Sequence, residues 1–135
     1  MSNTYRQSLG RWGEQVAAAY LEAQGYAILE RNFRTPYGEI DLVAQRQPSA
    51  SHGHASQAEL PVTVFIEVKT RTSSSFGLPE ESVTTRKRAH LLACVEAYRQ
   101  DHPDRSMDWR LDVIAIRRRP GSVEPELIHF ENALA

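Results

Sequence analysis

Cysteine is nearly absent: Cys94 is the single one in 135 residues. That excludes an internal disulfide framework and a cysteine-built zinc centre, and it fits a reducing, cytoplasmic compartment. An excess of charge of one sign is also absent. Sixteen Lys and Arg stand against 17 Asp and Glu, a net charge of −1. Bulk charge therefore marks neither a nucleic-acid nor a membrane binder, and a polyanion would have to meet a local basic patch. No run approaches the ~20 apolar residues of a membrane-spanning helix. The first 13 residues are polar, carry Arg6 and Arg11, and do not read as a signal peptide. No internal repeat is visible.

What is present is ordinary for a globular chain, with 41% apolar and 24% charged residues. The length fits one domain over 1–135 with a core that needs no staples. Periodicity predicts a helix over 8–25, with Ser8 as N-cap and Gly25 as stop. Leu9, Trp12, Val16 and Tyr20 share a stripe that Ala17 and Leu21 widen, and Glu14 falls at its rim. Strands are predicted over 26–34 and 39–45, joined by a turn holding Pro36 and Gly38. A small, polar loop covers 46–61. The clearest strand follows at 62–70, then a Ser-rich loop at 72–83 and a second helix over 84–101. Strands over 109–117 and 126–131 flank a turn at Pro120 and Gly121. The order αβββαββ is that of an α/β fold, one mixed sheet flanked by two helices.

Strand parity gathers carboxylates. In the third strand Val62, Val64, Ile66 and Val68 share one face, and Thr63, Phe65, Glu67, Lys69 and Arg71 the other. In the second strand Ile40, Leu42 and Ala44 alternate with Glu39, Asp41 and Val43. If both polar faces lie on one side, Asp41, Glu67 and Lys69 converge. Two close carboxylates repel, and a divalent cation offsets that repulsion. Asp41 and Glu67 are hard oxygen ligands of the kind that hold Mg²⁺, and Lys69 would sit beside them. An isolated Glu-x-Lys is usually solvated. Here the run from Val64 to Lys69 has large apolar residues on both faces, and charges in a doubly covered strand need partners or a metal.

The blocks 38–44 and 65–71, holding Asp41 and Glu67-Val68-Lys69, resemble the PD-(D/E)XK nuclease superfamily. The wider pattern adds Gly10 to Glu14, Phe76 to Pro79, Lys87 and Arg110 to Val113. It is similar to the YraN-type family of small bacterial proteins, which resemble archaeal Holliday-junction resolvases. The resemblance implies a restriction-endonuclease-like core and a Mg²⁺- or Mn²⁺-dependent endonuclease on DNA, branched DNA included. It implies Asp41 as metal ligand, Glu67 as the second acid, Lys69 as the catalytic lysine and Glu14 as a further acid from the first helix. Ile40 stands where the superfamily carries its proline. A non-catalytic nucleic-acid-binding module is the alternative. Cutting two strands symmetrically would suit a homodimer. A protein-interaction adaptor would need an exposed apolar patch that no sequence feature marks.

The remaining candidates each carry a plainer reading. Glu39 opens its strand and reads as a turn carboxylate, with a ligand role as the alternative. Asp112 lies among Ile114 and Ile116 and reads as a structural acid paired with an arginine. Lys87 shares the buried stripe of the second helix with Leu91, Cys94 and Tyr98. It lies in the first turn, where a phosphate would compensate an unfavourably placed cation; the alternative is a snorkelling lysine. Arg86 and Arg88 flank it, and Arg31, Arg34 and Arg71 could join one DNA-binding surface. Arg117 to Arg119 read as a solubilising turn, and His52 and His54 as loop residues. Ser73 to Ser75 read as a flexible loop, and Cys94, Trp12 and Trp109 as core.

Overall fold

The structure, a computed structural model, describes residues 2–46, 61–72, 85–105, 108–118 and 121–133. The expectations for His52, His54, the serine run, the 76–79 block, Thr84, Arg119 and Pro120 lie outside the described residues. The elements are α1 (Ser2–Ala23), β1 (Tyr26–Thr35), β2 (Gly38–Arg46), β3 (Val62–Arg71), α2 (Thr85–Asp101), a short 3-10 turn (Pro103–Arg105), β4 (Trp109–Arg117) and β5 (Glu126–Phe130). This is the predicted αβββαββ order in one mixed five-stranded sheet. The strands lie side by side in chain order. Among the described strands β3 and β4 alone run parallel, and α2 lies in the crossover that a parallel pair requires.

The sheet is covered on both faces. On one, Ala17, Ala18 and Leu21 of α1 pack on Leu42, Ala44, Val64, Ile66, Ile114 and Ile116. On the other, Leu91, Cys94, Val95 and Tyr98 of α2 pack on Ile40, Val43, Phe65 and Leu111. The alternation predicted for β3 is what divides Val64 and Ile66 from Phe65. Among the described residues Tyr98 is the largest fully buried side chain, and it meets the rings of Phe33 and Phe65 edge-on at 5.1 and 5.4 Å.

Two features of α1 depart from expectation. The helix begins at Ser2, so Ser8 lies inside it and is not its cap. Nothing between Ser2 and Gln7 breaks a helix, so hydrogen bonding extends back past Ser8. The helix also sits rotated from its apolar stripe. Gly13, Ala17, Ala18 and Leu21 are buried, whereas Trp12, Val16 and Tyr20 are half-buried. The reason is close approach. A Cβ on Gly13 would lie 2.1 Å from Thr70 Oγ1, so small residues face the sheet and larger ones wedge along the side. At 3.6 residues per turn, Glu14 then follows Gly10 and precedes Ala17 and Leu21 on the line facing the sheet. Helix α1 ends as predicted, with Gly25 at φ 94°, the left-handed position that glycine fills without penalty.

Candidate functional site

The site lies where β2 and β3 part. Their ladder runs from Arg46–Val62 to Leu42–Ile66 and stops. Asp41 and Glu67 are the next residues on each strand. The alternation expected for β2 breaks at this point. Ile40 packs with Val43 on the α2 face, while Leu42 and Ala44 face α1. The physical reason is a side-chain substitution in the ladder: the Val68 amide donates to Asp41 Oδ2 at 2.8 Å. On the other flank, Asn32 falls opposite Asp41, between the pairs Arg31–Leu42 and Phe33–Ile40. Asn32 has φ 54°, a left-handed backbone that asparagine tolerates better than most residues.

Glu14, Glu39 and Asp41 each place a carboxylate oxygen within 4.8 Å of the others. Glu14 descends from α1 and accepts a hydrogen bond from the Asn32 side chain. Glu39, expected as a turn carboxylate, lies within the cluster and also pairs with Arg34 Nε at 3.5 Å. The electrostatic cost is visible in the titration of Asp41. Burial, then the neighbouring Glu67, Glu14 and Glu39 charges, raise its pKa to about 7 against the lowering effect of the Val68 amide. Burial also raises the Glu14 pKa, with Glu39 and Glu67 adding to the rise. Gathered oxygen donors carrying this repulsion fit a hard divalent cation, which would relieve it.

Glu67 is turned toward α2. Its Oε1 lies 2.5 Å from Lys87 Nζ. Asp41, Glu39, Glu67 and Lys87 line a cavity of about 230 Å³, together with His90 and the exposed Tyr37. A larger groove of about 650 Å³ adjoins it, sharing Glu67 and Lys87, and takes in Lys69 and Arg71. Lys69 therefore borders the groove with Glu67. Its pKa is lowered by burial first, then by the Lys87 and Arg71 charges. Arg86 and Arg88 are exposed on α2, and neither lines the cavity or the groove. Arg31 is exposed and acts on Glu14 through its charge.

Sequence reasoning passed over Asn32, which falls opposite Asp41 and hydrogen-bonds Glu14. A signal was present, because a two-residue turn at Pro36 and Tyr37 sets residue 32 against residue 41. Tyr5, Tyr37 and His90 were passed over too; their place depends on how α1 and α2 meet the sheet.

Asp112 belongs to a separate, structural network. It is fully buried and binds Arg110 through two bonds of 2.9 and 3.1 Å. His129 Nε2 lies 2.7 Å away, and the Asn132 amide donates at 2.9 Å. Burial alone would raise its pKa, but the bonds from His129, Arg110 and Asn132 hold it below the usual carboxylate value. The network ties β5 and the segment after it to β4.

Fold and site together define an α/β protein with a carboxylate-rich cleft at the parting of two central strands. The profile of Uncharacterised protein family UPF0102 matches residues 13–116. The chain is 41% identical over 128 residues to a UPF0102 protein of Syntrophotalea carbinolica, covering 95% of this chain and 92% of that one. It is 40% identical to one of Dehalococcoides mccartyi, covering 96% and 94%, and 40% identical to one of Syntrophomonas wolfei, covering 94% and 97%. The chain belongs to the UPF0102 family. Its matched span carries Glu14, Asp41, Glu67 and Lys69. Among the described residues no helix is long and apolar enough to cross a membrane.

Proposed function

We propose that this chain is a DNA phosphodiesterase, an endonuclease dependent on Mg²⁺ or Mn²⁺. One observation carries the reading: three carboxylates from α1 and β2 converge within 4.8 Å beside Glu67 at the parted end of β3, and Glu67 shares the adjoining groove with Lys69. Glu14, Glu39 and Asp41 would hold the ion, with Glu67 at its margin. When bound, such an ion supplies positive charge to a phosphoryl oxygen. The other tasks fall to the chain itself. Asn32 and the Val68 amide fix the carboxylates of Glu14 and Asp41. Lys87 holds Glu67 and adds a cation at the mouth of the cavity. Lys69, its pKa lowered, can hold or move a proton at Nζ beside a phosphate.

The resemblance to the PD-(D/E)XK superfamily supports the same assignment, since Asp41, Glu67 and Lys69 match its motif and Glu14 the helix acid of resolvase-like members. A restriction-endonuclease-like core forming one domain over 1–135, branched DNA as a substrate, a cytoplasmic location and a homodimer belong to this proposal. The non-catalytic binding module keeps one observation in its favour, the engagement of Glu67 by Lys87. Cleavage of linear, nicked, flapped and four-way DNA in Mg²⁺, Mn²⁺ and EDTA tests the choice. Metal-dependent cutting that Asp41→Asn removes supports the enzyme. Tight binding with no cutting of any substrate supports the module.

A further inference from the structure

We infer that the groove between the start of α1 and the end of β3 is a track for an unpaired DNA strand. This deepens the proposed function and takes from it that DNA is the polyanion. The charge distribution is the first observation. Among the described residues, a chain with net charge −1 places four cations, Arg6, Lys69, Arg71 and Lys87, along this one groove against one carboxylate, Glu67. That is the local basic patch a polyanion requires when bulk charge is absent.

The second observation is aromatic. Tyr5 lines the same groove and is 57% exposed, although burying its ring elsewhere would be favourable. A cationic track with an exposed ring is how single strands are held without sequence preference: phosphates meet the cations and a base stacks on the ring. A duplex offers the phosphates but keeps its base faces inside the stack, so only an unpaired strand uses both. The third observation is continuity. Glu67 and Lys87 line the groove and the carboxylate cavity alike. Tyr37, 58% exposed, lines that cavity with the carboxylates. A strand that lies on Tyr5 and continues into the cavity would meet a second ring there. Unpaired strands are what flaps, gaps and forked ends present, which joins this track to a substrate that is not continuous duplex.

The experiment is fluorescence anisotropy on the full chain in EDTA, with labelled dT₂₀ and a blunt 20-base-pair duplex. Binding of dT₂₀ is expected to be at least tenfold tighter than that of the duplex. Tyr5→Ala should weaken dT₂₀ binding about tenfold, the scale of one lost base stack, while Tyr5→Phe keeps it. Arg71→Ala should lower the slope of log affinity against log salt by about 0.7, one single-strand phosphate contact. Thermal melts confirm that each variant folds. Duplex binding equal to or tighter than dT₂₀ would overturn the inference, as would unchanged dT₂₀ affinity in Tyr5→Ala. Because EDTA removes any cutting, the two readings fail separately. Tight, Tyr5-dependent dT₂₀ binding without cleavage in Mg²⁺ or Mn²⁺ keeps the track and removes the phosphodiesterase. Cleavage with Tyr5-independent binding does the reverse.

Discussion

The Val68 amide donates to Asp41 Oδ2 at 2.8 Å, one step beyond the last pair of the β2–β3 ladder. A side-chain carboxylate thus takes the place of a main-chain carbonyl, and the two central strands separate around it. The cavity opens because the ladder ends there, and the ladder ends where its hydrogen bond goes to an aspartate. The same bond holds Asp41 against the Glu14 and Glu39 charges. Fold and site therefore share one contact.

Asp41 makes the metal-free protein less stable as pH rises. Its pKa is about 7 in the fold and near the ordinary aspartate value when unfolded. Between about pH 4 and pH 7 the unfolded chain has lost this proton and the folded chain keeps it, so stability falls across that window. Asp41→Asn removes the charge and still accepts the Val68 hydrogen bond. The rise from 3.8 to about 7, at about 1.4 kcal/mol per pKa unit, means that the variant should gain up to roughly 4 kcal/mol in urea melts at pH 8 in EDTA. Mn²⁺ should raise the Tm of the wild type at pH 8 and leave Asp41→Asn unmoved. Calorimetric titration should show Mn²⁺ binding that the variant loses. Equal binding by wild type and by Asp41→Asn combined with Glu67→Gln would remove the metal site.

Gly13 sets the distance between α1 and the sheet, and through it the depth of Glu14. Gly13→Ala puts a carbon 2.1 Å from Thr70 Oγ1. Overpacking of this kind costs about 1–3 kcal/mol. Thr70→Ala removes the opposing Oγ1, so the double variant should recover much of the loss. Urea melts of the four proteins in a double-mutant cycle measure this coupling. Additive effects would show that α1 does not touch β3 here.

Asp112 anchors the last strand. Asp112→Ala takes from half-buried Arg110 its buried carboxylate and leaves it only the outer Glu131 at 3.5 Å, a change that costs up to about 3–5 kcal/mol in buried pairs. The Asp112 pKa is lowered in the fold, so its contribution is present above the unfolded aspartate pKa and lost as pH falls through the folded one. Urea melts at pH 7 should separate wild type from variant widely, and below pH 4 the gap should narrow. A gap that stays constant from pH 7 to pH 2 would contradict the linkage.

Most of the architecture was legible because β3 alternates cleanly. Val64 and Ile66 against Phe65 told both faces of the sheet and placed Glu67 with Lys69. The carboxylate cluster was less legible, for physical reasons. Asp41 breaks the period-two rule by bonding Val68, and strict parity does not foresee a side chain entering the ladder. Glu14 read as a rim residue because apolar periodicity marks the largest side chains, whereas close helix–sheet contact selects the smallest, Gly13 and Ala17. The Glu67–Lys87 pair joins residues twenty apart across a crossover, and strand periodicity says nothing of such contacts.

The most direct test of the phosphodiesterase is single-turnover cleavage with saturating protein, run beside a binding isotherm, for wild type, Lys69→Ala and Lys69→Arg. If Lys69 acts on the reacting phosphate, its contribution appears in the chemical step. Lys69→Ala should then bind DNA and Mn²⁺ nearly as the wild type does, yet cut at least ~100-fold more slowly. Lys69→Arg should not rescue, because a guanidinium stays protonated and presents its donors differently. An unchanged single-turnover rate in Lys69→Ala would contradict the account.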